Sequence, residues 1–171
     1  MNEHAFEEIA SALPPGRYRE VLRHVLTRLP EGWDYYRTLS VELSPEKPAR
    51  GIASSLREEE LETAADDPPI EGHNEQVWTV TLFQPWLDGF SDLSVMWVIA
   101  HELGHVASGM ACGSMALGGK PYTRVSGTND HYREKTPEEI SGGEKVADAI
   151  ARAWGFWLEE ETFEAEALRL K

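Results

Sequence analysis

The segment His101-Glu102-Leu103-Gly104-His105 lies in a stretch that we predict to be helical. Side chains four residues apart stand on one face of a helix, one turn from each other, so His101 and His105 can reach one ion. Zinc accepts neutral imidazole nitrogens at roughly 2.0–2.1 Å and favours tetrahedral coordination. Glu102 projects beside the metal, where its carboxylate can take a proton from a metal-bound water that attacks a carbonyl group. Chance alone gives about 0.03 such segments in a chain of this length and composition, so we predict a functional metal site.

The stretch Trp97-Val98-Ile99-Ala100-His101-Glu102-Leu103-Gly104-His105 closely resembles the active-site helix of zincin metallopeptidases. This resemblance implies one Zn²⁺ bound by His101 and His105, with Glu102 as the general base. It also implies an α+β fold in which a small mixed sheet packs against this helix. One zincin class carries Gly and a third His at the positions that are Ser108 and Ala111 here, so that class is excluded.

A catalytic zinc site needs a third protein ligand and an open position. In the gluzincin class the third ligand is a Glu on a downstream helix, followed four positions later by Asp. Glu144-Lys145-Val146-Ala147-Asp148 resembles that pattern. The resemblance implies that Glu144 is the third zinc ligand. It also implies that Asp148 hydrogen-bonds the far nitrogen of a ligating histidine, which fixes the tautomer of that ring.

The helical wheel of this segment gives independent support. One side carries two acids followed by small residues: Glu144, Asp148, Ala151 and Gly155. The other side is largely apolar: Val146, Ile150, Ala153 and Trp157. The acidic side is unusual for a solvent-facing surface, and it fits close packing on another helix with the acids directed at a metal.

Several alternatives to this assignment remain open. Ser141-Gly142-Gly143-Glu144 matches a capping box, in which Glu144 would bond back to Ser141 without any metal. The rival ligands are His131, Glu138 and Glu139, and also Cys112, which is better explained as a small buried thiol. The candidates for a group that stabilises the transition state are Tyr122, His131 and Tyr132.

Apolar periodicity and turn residues predict a single α+β domain over residues 1–171, with N-terminal helices, a small mixed sheet, the zinc helix and a C-terminal helix that carries the third ligand. The predicted helices cover residues 2–13, 17–29, and 91 or 92 to 108 or 109. The predicted strands cover residues 33–43, 51–56 and 77–83, and an acidic connection covers 57–75. Residues 109–135 are predicted to be one long loop. A helix begins at Thr136, is broken or restarted at Gly142-Gly143, and is followed by a final helix from about residue 141.

Composition narrows the possible partners and the compartment. The net charge of −14 would repel a nucleic-acid backbone. The chain has one cysteine, so no intramolecular disulfide can form, and its acidic first residues do not resemble a secretory signal. No apolar run is long enough to cross a bilayer. We therefore expect a cytoplasmic protein that binds neither nucleic acid nor membrane.

Together these features predict a zinc-dependent metallopeptidase, a hydrolase that acts on a peptide or protein substrate. We expect the strand Val77–Phe83 to be an edge strand near the metal, where an extended substrate can pair with it. Two other functions remain open. One is a regulatory zincin that is specific for a single protein partner. The other is a zinc-binding protein without catalysis, in which Glu102 would have no use.

Overall fold

The computed structural model describes residues 3–30, 39–48, 53–58, 77–108, 122–124, 132–134 and 136–169. Within these residues the chain forms six helices and five strands, which confirms the predicted α+β class. The helices are α1 (Glu3–Ser11), α2 (Arg17–Thr27), α3 (Gln84–Leu87), α4 (Asp92–Ser108), α5 (Pro137–Ala153) and α6 (Trp157–Arg169). The strands are β1 (Leu39–Ser44), β2 (Ala53–Glu58), β3 (Val77–Phe83), β4 (Tyr122–Arg124) and β5 (Tyr132–Glu134).

Helix α4 lies at the centre of the fold and packs against α2, α5, α6, β2 and β3. Its apolar residues lie on every side, and Val95, Ile99, Leu103 and Val106 are completely shielded from solvent. A helix that is apolar all round is stable only where its neighbours cover each side. The helix that carries the two histidines is therefore also the core of the protein, and its predicted bounds are confirmed.

The N-terminal helices cover one side of this core. Both are confirmed, although each ends two residues earlier than predicted. Five apolar residues form a stripe along one side of α2 and are buried: Tyr18, Val21, Leu22, Val25 and Leu26. Because α2 contacts α4 directly, this stripe joins the central apolar cluster.

The larger sheet has the strand order β1-β3-β2, with β1 parallel and β2 antiparallel to β3. Successive strand residues point to opposite faces, and Trp78, Val80 and Leu82 of β3 alternate onto the buried face. Leu39 and Val41 of β1 join them in the core. The described parts of β1 and β2 begin inside the predicted ranges, and residues 51–52 lie outside the described residues. Part of the first prediction, residues 33–38, lies outside the described residues.

The position of β3 corrects one prediction. Val77–Phe83 is the middle strand, since β1 and β2 pair with it on either side. Its backbone N–H and C=O groups are therefore engaged within the sheet, and its predicted role as a substrate-pairing edge strand is wrong. In the part of the sheet that the structure describes, the edges are β1 and β2, and β2 packs against α4.

Three other predictions about local structure also need correction. The stretch 109–135 is not one continuous loop, because β4 and β5 within it pair antiparallel. Gly142-Gly143 does not interrupt the next helix, which runs from Pro137 to Ala153. The final helix begins at Trp157 rather than near residue 141, after a turn in which Gly155 has a φ of +90°.

The short helix α3 after β3 was not predicted. Most of the predicted acidic connection, residues 59–75, lies outside the described residues.

Helix α6 packs along α4, and hydrogen bonds connect it to the first turn of α4. The Glu166 carboxylate accepts hydrogen bonds from the Ser91 backbone N–H at 2.9 Å and from the Ser94 hydroxyl at 2.6 Å. The rings of Phe90 and Phe163 stack beside this contact with their centroids 5.3 Å apart. These contacts fix the start of α4, two to three turns before its histidines. Among the described residues, no helix has the length and apolar character needed to cross a membrane.

Candidate metal centre

His101 and His105 present their ring nitrogens to the same point, as their spacing on α4 predicts. The two Nε2 atoms are 3.1 Å apart, and the rings meet edge to face with their centroids 4.7 Å apart. His105 is fully buried, and the side chain of His101 is 15 % exposed. Such burial of two imidazoles is favourable only where polar partners satisfy their nitrogens.

Glu144 of α5 completes a group of three potential ligands. Its Oε2 lies 3.1 Å from His101 Nε2, and its Oε1 lies 3.6 Å from His105 Nε2. Ligands at zinc–ligand distances of roughly 2.0–2.1 Å stand about 3.3 Å apart in a tetrahedral site. The measured separations are close to that value, and one ligand atom from each of the three residues lies within 4.8 Å of the other two, so the group is compact enough to hold one ion. Among the described residues, these are the side chains that could hold a metal ion together.

Asp148 lies one turn after Glu144 and contacts the other nitrogen of His101. Its Oδ1 is 2.8 Å from His101 Nδ1. An Nδ1–H that donates to this carboxylate leaves the Nε2 lone pair of a neutral His101 directed at the metal position. The structure thus brings Asp148 to the place that the gluzincin resemblance implies for it.

The charge around His101 also affects its protonation. Burial lowers the pKa of the His101 imidazole, but hydrogen bonds to Asp148 and Glu144 outweigh burial. The negative charge of Glu102 acts in the same direction, and the pKa of His101 is raised to about 10. A metal ion must therefore displace a proton from this ring at neutral pH, so its binding competes with protonation.

Close packing of α5 on α4 brings the two acids to the histidines. A Cβ atom at Gly104 would lie 2.7 Å from the backbone oxygen of Ala147, so the helices meet with no room for a side chain. Ala147 and Ala151 are fully buried on the acidic side of α5, while Val146 on the apolar side is 37 % exposed. The predicted close packing of the acidic side is confirmed.

The capping-box alternative for Glu144 is wrong, because α5 begins at Pro137, four residues before Ser141. Thr136 is the N-cap: its hydroxyl accepts from the Glu139 backbone N–H, and the Glu139 carboxylate accepts from the Thr136 N–H. Glu144 is therefore two turns inside the helix. Of the rival ligands, Glu139 is part of this cap, and Glu138 is exposed in the first turn.

Glu102 is the predicted base, and it lies on the buried side of α4 beside the two histidines. It is 6 % exposed, and its negative charge raises the pKa of the adjacent His101. Trp97 was not among the predicted site residues. Its ring centroid lies 6.3 Å from that of His101. Its position one turn before His101 on the same helix face was the available signal.

The remaining candidates lie wholly or partly outside the described residues. Tyr122 and Tyr132 begin the paired strands β4 and β5, but their side chains lie outside the described part of the structure. His131 and Cys112 also lie outside it. The structure therefore brings together His101, Glu102, His105, Glu144 and Asp148.

Comparison with models of protein families, with curated proteins and with solved structures found no match to this chain.

Proposed function

We propose that this chain is a zinc-dependent metallopeptidase in which His101, His105 and Glu144 hold one Zn²⁺. The observation that carries this proposal is the convergence of two imidazole nitrogens and the Glu144 carboxylate, with separations of 3.1 to 3.6 Å between them, on the helix that also carries the buried Glu102. The histidine and carboxylate donors suit zinc, which binds imidazole and carboxylate at similar distances. A site of three protein ligands also leaves a fourth position for the reacting groups.

Each residue around the ion has a distinct task in this proposal. Zinc supplies a Lewis acid that lowers the pKa of water and polarises a carbonyl group. The Glu102 carboxylate accepts the proton of the attacking water and passes it to the leaving amine. Asp148 holds the His101 ring in the orientation that directs Nε2 inward. In this proposal His101, His105 and Glu144 bind the ion, while Glu102 moves the proton.

The sheet offers a place for an extended peptide beside this site. Strand β2 is an edge strand, and it packs against α4, which carries Glu102 and both histidines. A peptide can add to such an edge through main-chain hydrogen bonds. We therefore assign to β2 the pairing role that the sequence had indicated for β3.

The deciding experiment combines metal content with hydrolysis. Purified protein should bind one zinc per chain and cleave members of a peptide mixture. We expect Glu102→Gln to keep its zinc and to lose about 10²- to 10⁴-fold in kcat, the usual contribution of a general base. Glu144→Ala should lose most of its zinc. Glu138→Gln is the matched control, because Glu138 is exposed in the first turn of the same helix.

The outcomes separate this proposal from the two other functions. Full activity in Glu102→Gln would show that the mechanism is wrong. Zinc binding with no cleavage of any peptide in the mixture, or of casein, would leave either a protease for a single partner or a zinc-binding protein. Cleavage of one co-purified partner, lost in Glu102→Gln, would then identify the former.

A further inference from the structure

Gly104 lies where α4 and α5 approach each other most closely in this site. A Cβ atom built on it would be 2.7 Å from the Ala147 backbone oxygen and 3.0 Å from the Ala147 Cα. Real Cβ atoms essentially never approach other atoms to less than 3.0 Å. The obstructing atoms belong to the backbone, so rotation of a side chain cannot relieve the contact. Only glycine fits at position 104 while the helices keep this spacing.

This contact lies among the residues of the metal centre. Gly104 comes directly before His105 and one turn after His101 on α4. Ala147 stands between Glu144 and Asp148 on α5. We propose that Gly104 is a positioning residue: by letting α5 approach α4, it sets the distance at which Glu144 and Asp148 reach the two histidines. This inference concerns the metal site of the proposed function and assigns that site a residue that does not touch the metal.

The size of the effect follows from the distances. Ordinary van der Waals contact begins at 3.4 Å, so an alanine at position 104 must move the Ala147 oxygen away by about 0.7 Å. Metal–ligand distances tolerate deviations of only about 0.2 Å. Glu144 has enough rotatable bonds to follow part of this shift. Asp148 is one methylene shorter, and its 2.8 Å contact with His101 would lengthen beyond hydrogen-bonding distance.

The test compares Gly104→Ala with Gly143→Ala. Gly143 is also helical, but a Cβ atom there would meet no atom within 4 Å. Zinc affinity is measured by competition with a chelator, and ligand geometry by the visible absorption of bound Co²⁺. We expect Gly104→Ala to bind zinc about 10- to 100-fold more weakly, as when the partner of a ligating histidine is lost, and to change the Co²⁺ spectrum. Gly143→Ala should leave both unchanged.

A second variant separates positioning from general damage to the fold. Asp148→Glu lengthens the partner of His101 by one methylene, so Gly104→Ala/Asp148→Glu should recover part of the lost affinity. A merely destabilised protein would not recover in this way. If Gly104→Ala folds too poorly to be measured, Ala147→Ser adds an atom to the same crossing from α5. It should weaken zinc binding in the same direction.

A readout that needs no metal distinguishes failure of this inference from failure of the proposed function. In zinc-free protein, the Nδ1–H proton of His101 gives a downfield NMR signal while it is hydrogen-bonded to Asp148. We expect that signal to be lost in Gly104→Ala and kept in Gly143→Ala. If the signal persists and zinc affinity stays within twofold, the positioning role is overturned. If the unmodified chain binds no zinc but the signal is lost as expected, the proposed function fails and the positioning role stands.

Discussion

Glu166 provides a direct test of how the helix that bears the metal site is anchored. Its carboxylate on α6 accepts hydrogen bonds from the Ser91 N–H at 2.9 Å and from the Ser94 hydroxyl at 2.6 Å. Ser91 immediately precedes α4, so the charge also lies at the positive end of that helix. Hydrogen bonds to a charged group each contribute about 1.5–3 kcal/mol when they are well shielded from solvent, and less at a partly exposed site such as this. We therefore expect Glu166→Ala to lower the free energy of unfolding by about 1–2 kcal/mol, as the loss of an N-cap does.

The stabilisation by Glu166 should change with pH in a definite direction. The hydrogen bonds from Ser94 and Ser91 lower the pKa of Glu166 from its ordinary value of 4.5. A carboxyl group whose pKa is lower in the folded state stabilises the protein above the unfolded pKa. That stabilisation is lost as the pH falls through the folded pKa. The difference in stability between the unmodified chain and Glu166→Gln should therefore be largest at neutral pH and should shrink as the pH falls below the ordinary value of 4.5 and through the folded pKa.

Urea unfolding followed by far-ultraviolet circular dichroism measures both effects. Glu161→Gln is the matched control, because Glu161 lies on the same helix and is exposed. It should change the unfolding free energy by less than about 0.5 kcal/mol. The reasoning is refuted if Glu166→Ala unfolds at the same urea concentration as Glu161→Gln. It is also refuted if the difference between the unmodified chain and Glu166→Gln does not depend on pH.

Three further predictions concern the metal and the turn between α5 and α6. Asp148→Asn should weaken zinc binding about 10- to 100-fold, measured by equilibrium dialysis, because His101 loses a charged partner. Zinc at about 100 times Kd should raise the unfolding free energy by about 2.7 kcal/mol in urea titrations, a gain absent in Glu144→Ala. Gly155→Ala should cost about 1–2 kcal/mol, since Gly155 has a φ of +90°. Gly142→Ala in the open part of α5 should be neutral or stabilising in the same assay.

The elements that the sequence predicted well are those whose signal is local. Helix α4 contains a long apolar run, and β3 alternates apolar and polar residues from Trp78 to Leu82. Thr136 followed by Pro and two acids marks the start of α5, and the structure has a capping box there. In each case the residues that decide the structure lie within a few positions of each other.

The predictions that were wrong depended on contacts between distant parts of the chain. The middle position of β3 is set by pairing with β1 and β2, which no local pattern reveals. Gly142-Gly143 lowers helix propensity by about 1 kcal/mol per residue relative to alanine. The helix nevertheless continues through them, since burial of Ala147 and Ala151 against α4 adds tertiary packing that propensity does not include.

For the candidate site, the sequence predicted the identities of the residues better than their surroundings. The spacing in His101-Glu102-Leu103-Gly104-His105 selected the residues on α4. The gluzincin resemblance implied Glu144 and Asp148, which the structure brings to His101. The contact of Gly104 with Ala147 could not be predicted, because it depends on how two helices that are distant in the sequence cross. Small residues at both positions were the only signal, and such residues are common in helices without close contacts.

The residues of the candidate metal centre are held in place by contacts that do not involve a metal. Glu166 fixes the start of α4, and Gly104 fixes the approach of α5, while the apolar side chains of α4 are buried against several neighbours. Small zinc domains whose ligands are gathered only by the ion unfold when it is removed. Here the proposed ligands belong to two long helices that pack against each other, so we expect little of the binding free energy to be needed to order the chain. We therefore expect a chelator to reduce stability only by the binding contribution and to leave the far-ultraviolet circular dichroism of the protein unchanged. A loss of helix signal on chelation would show that the ion, rather than this packing, assembles the site.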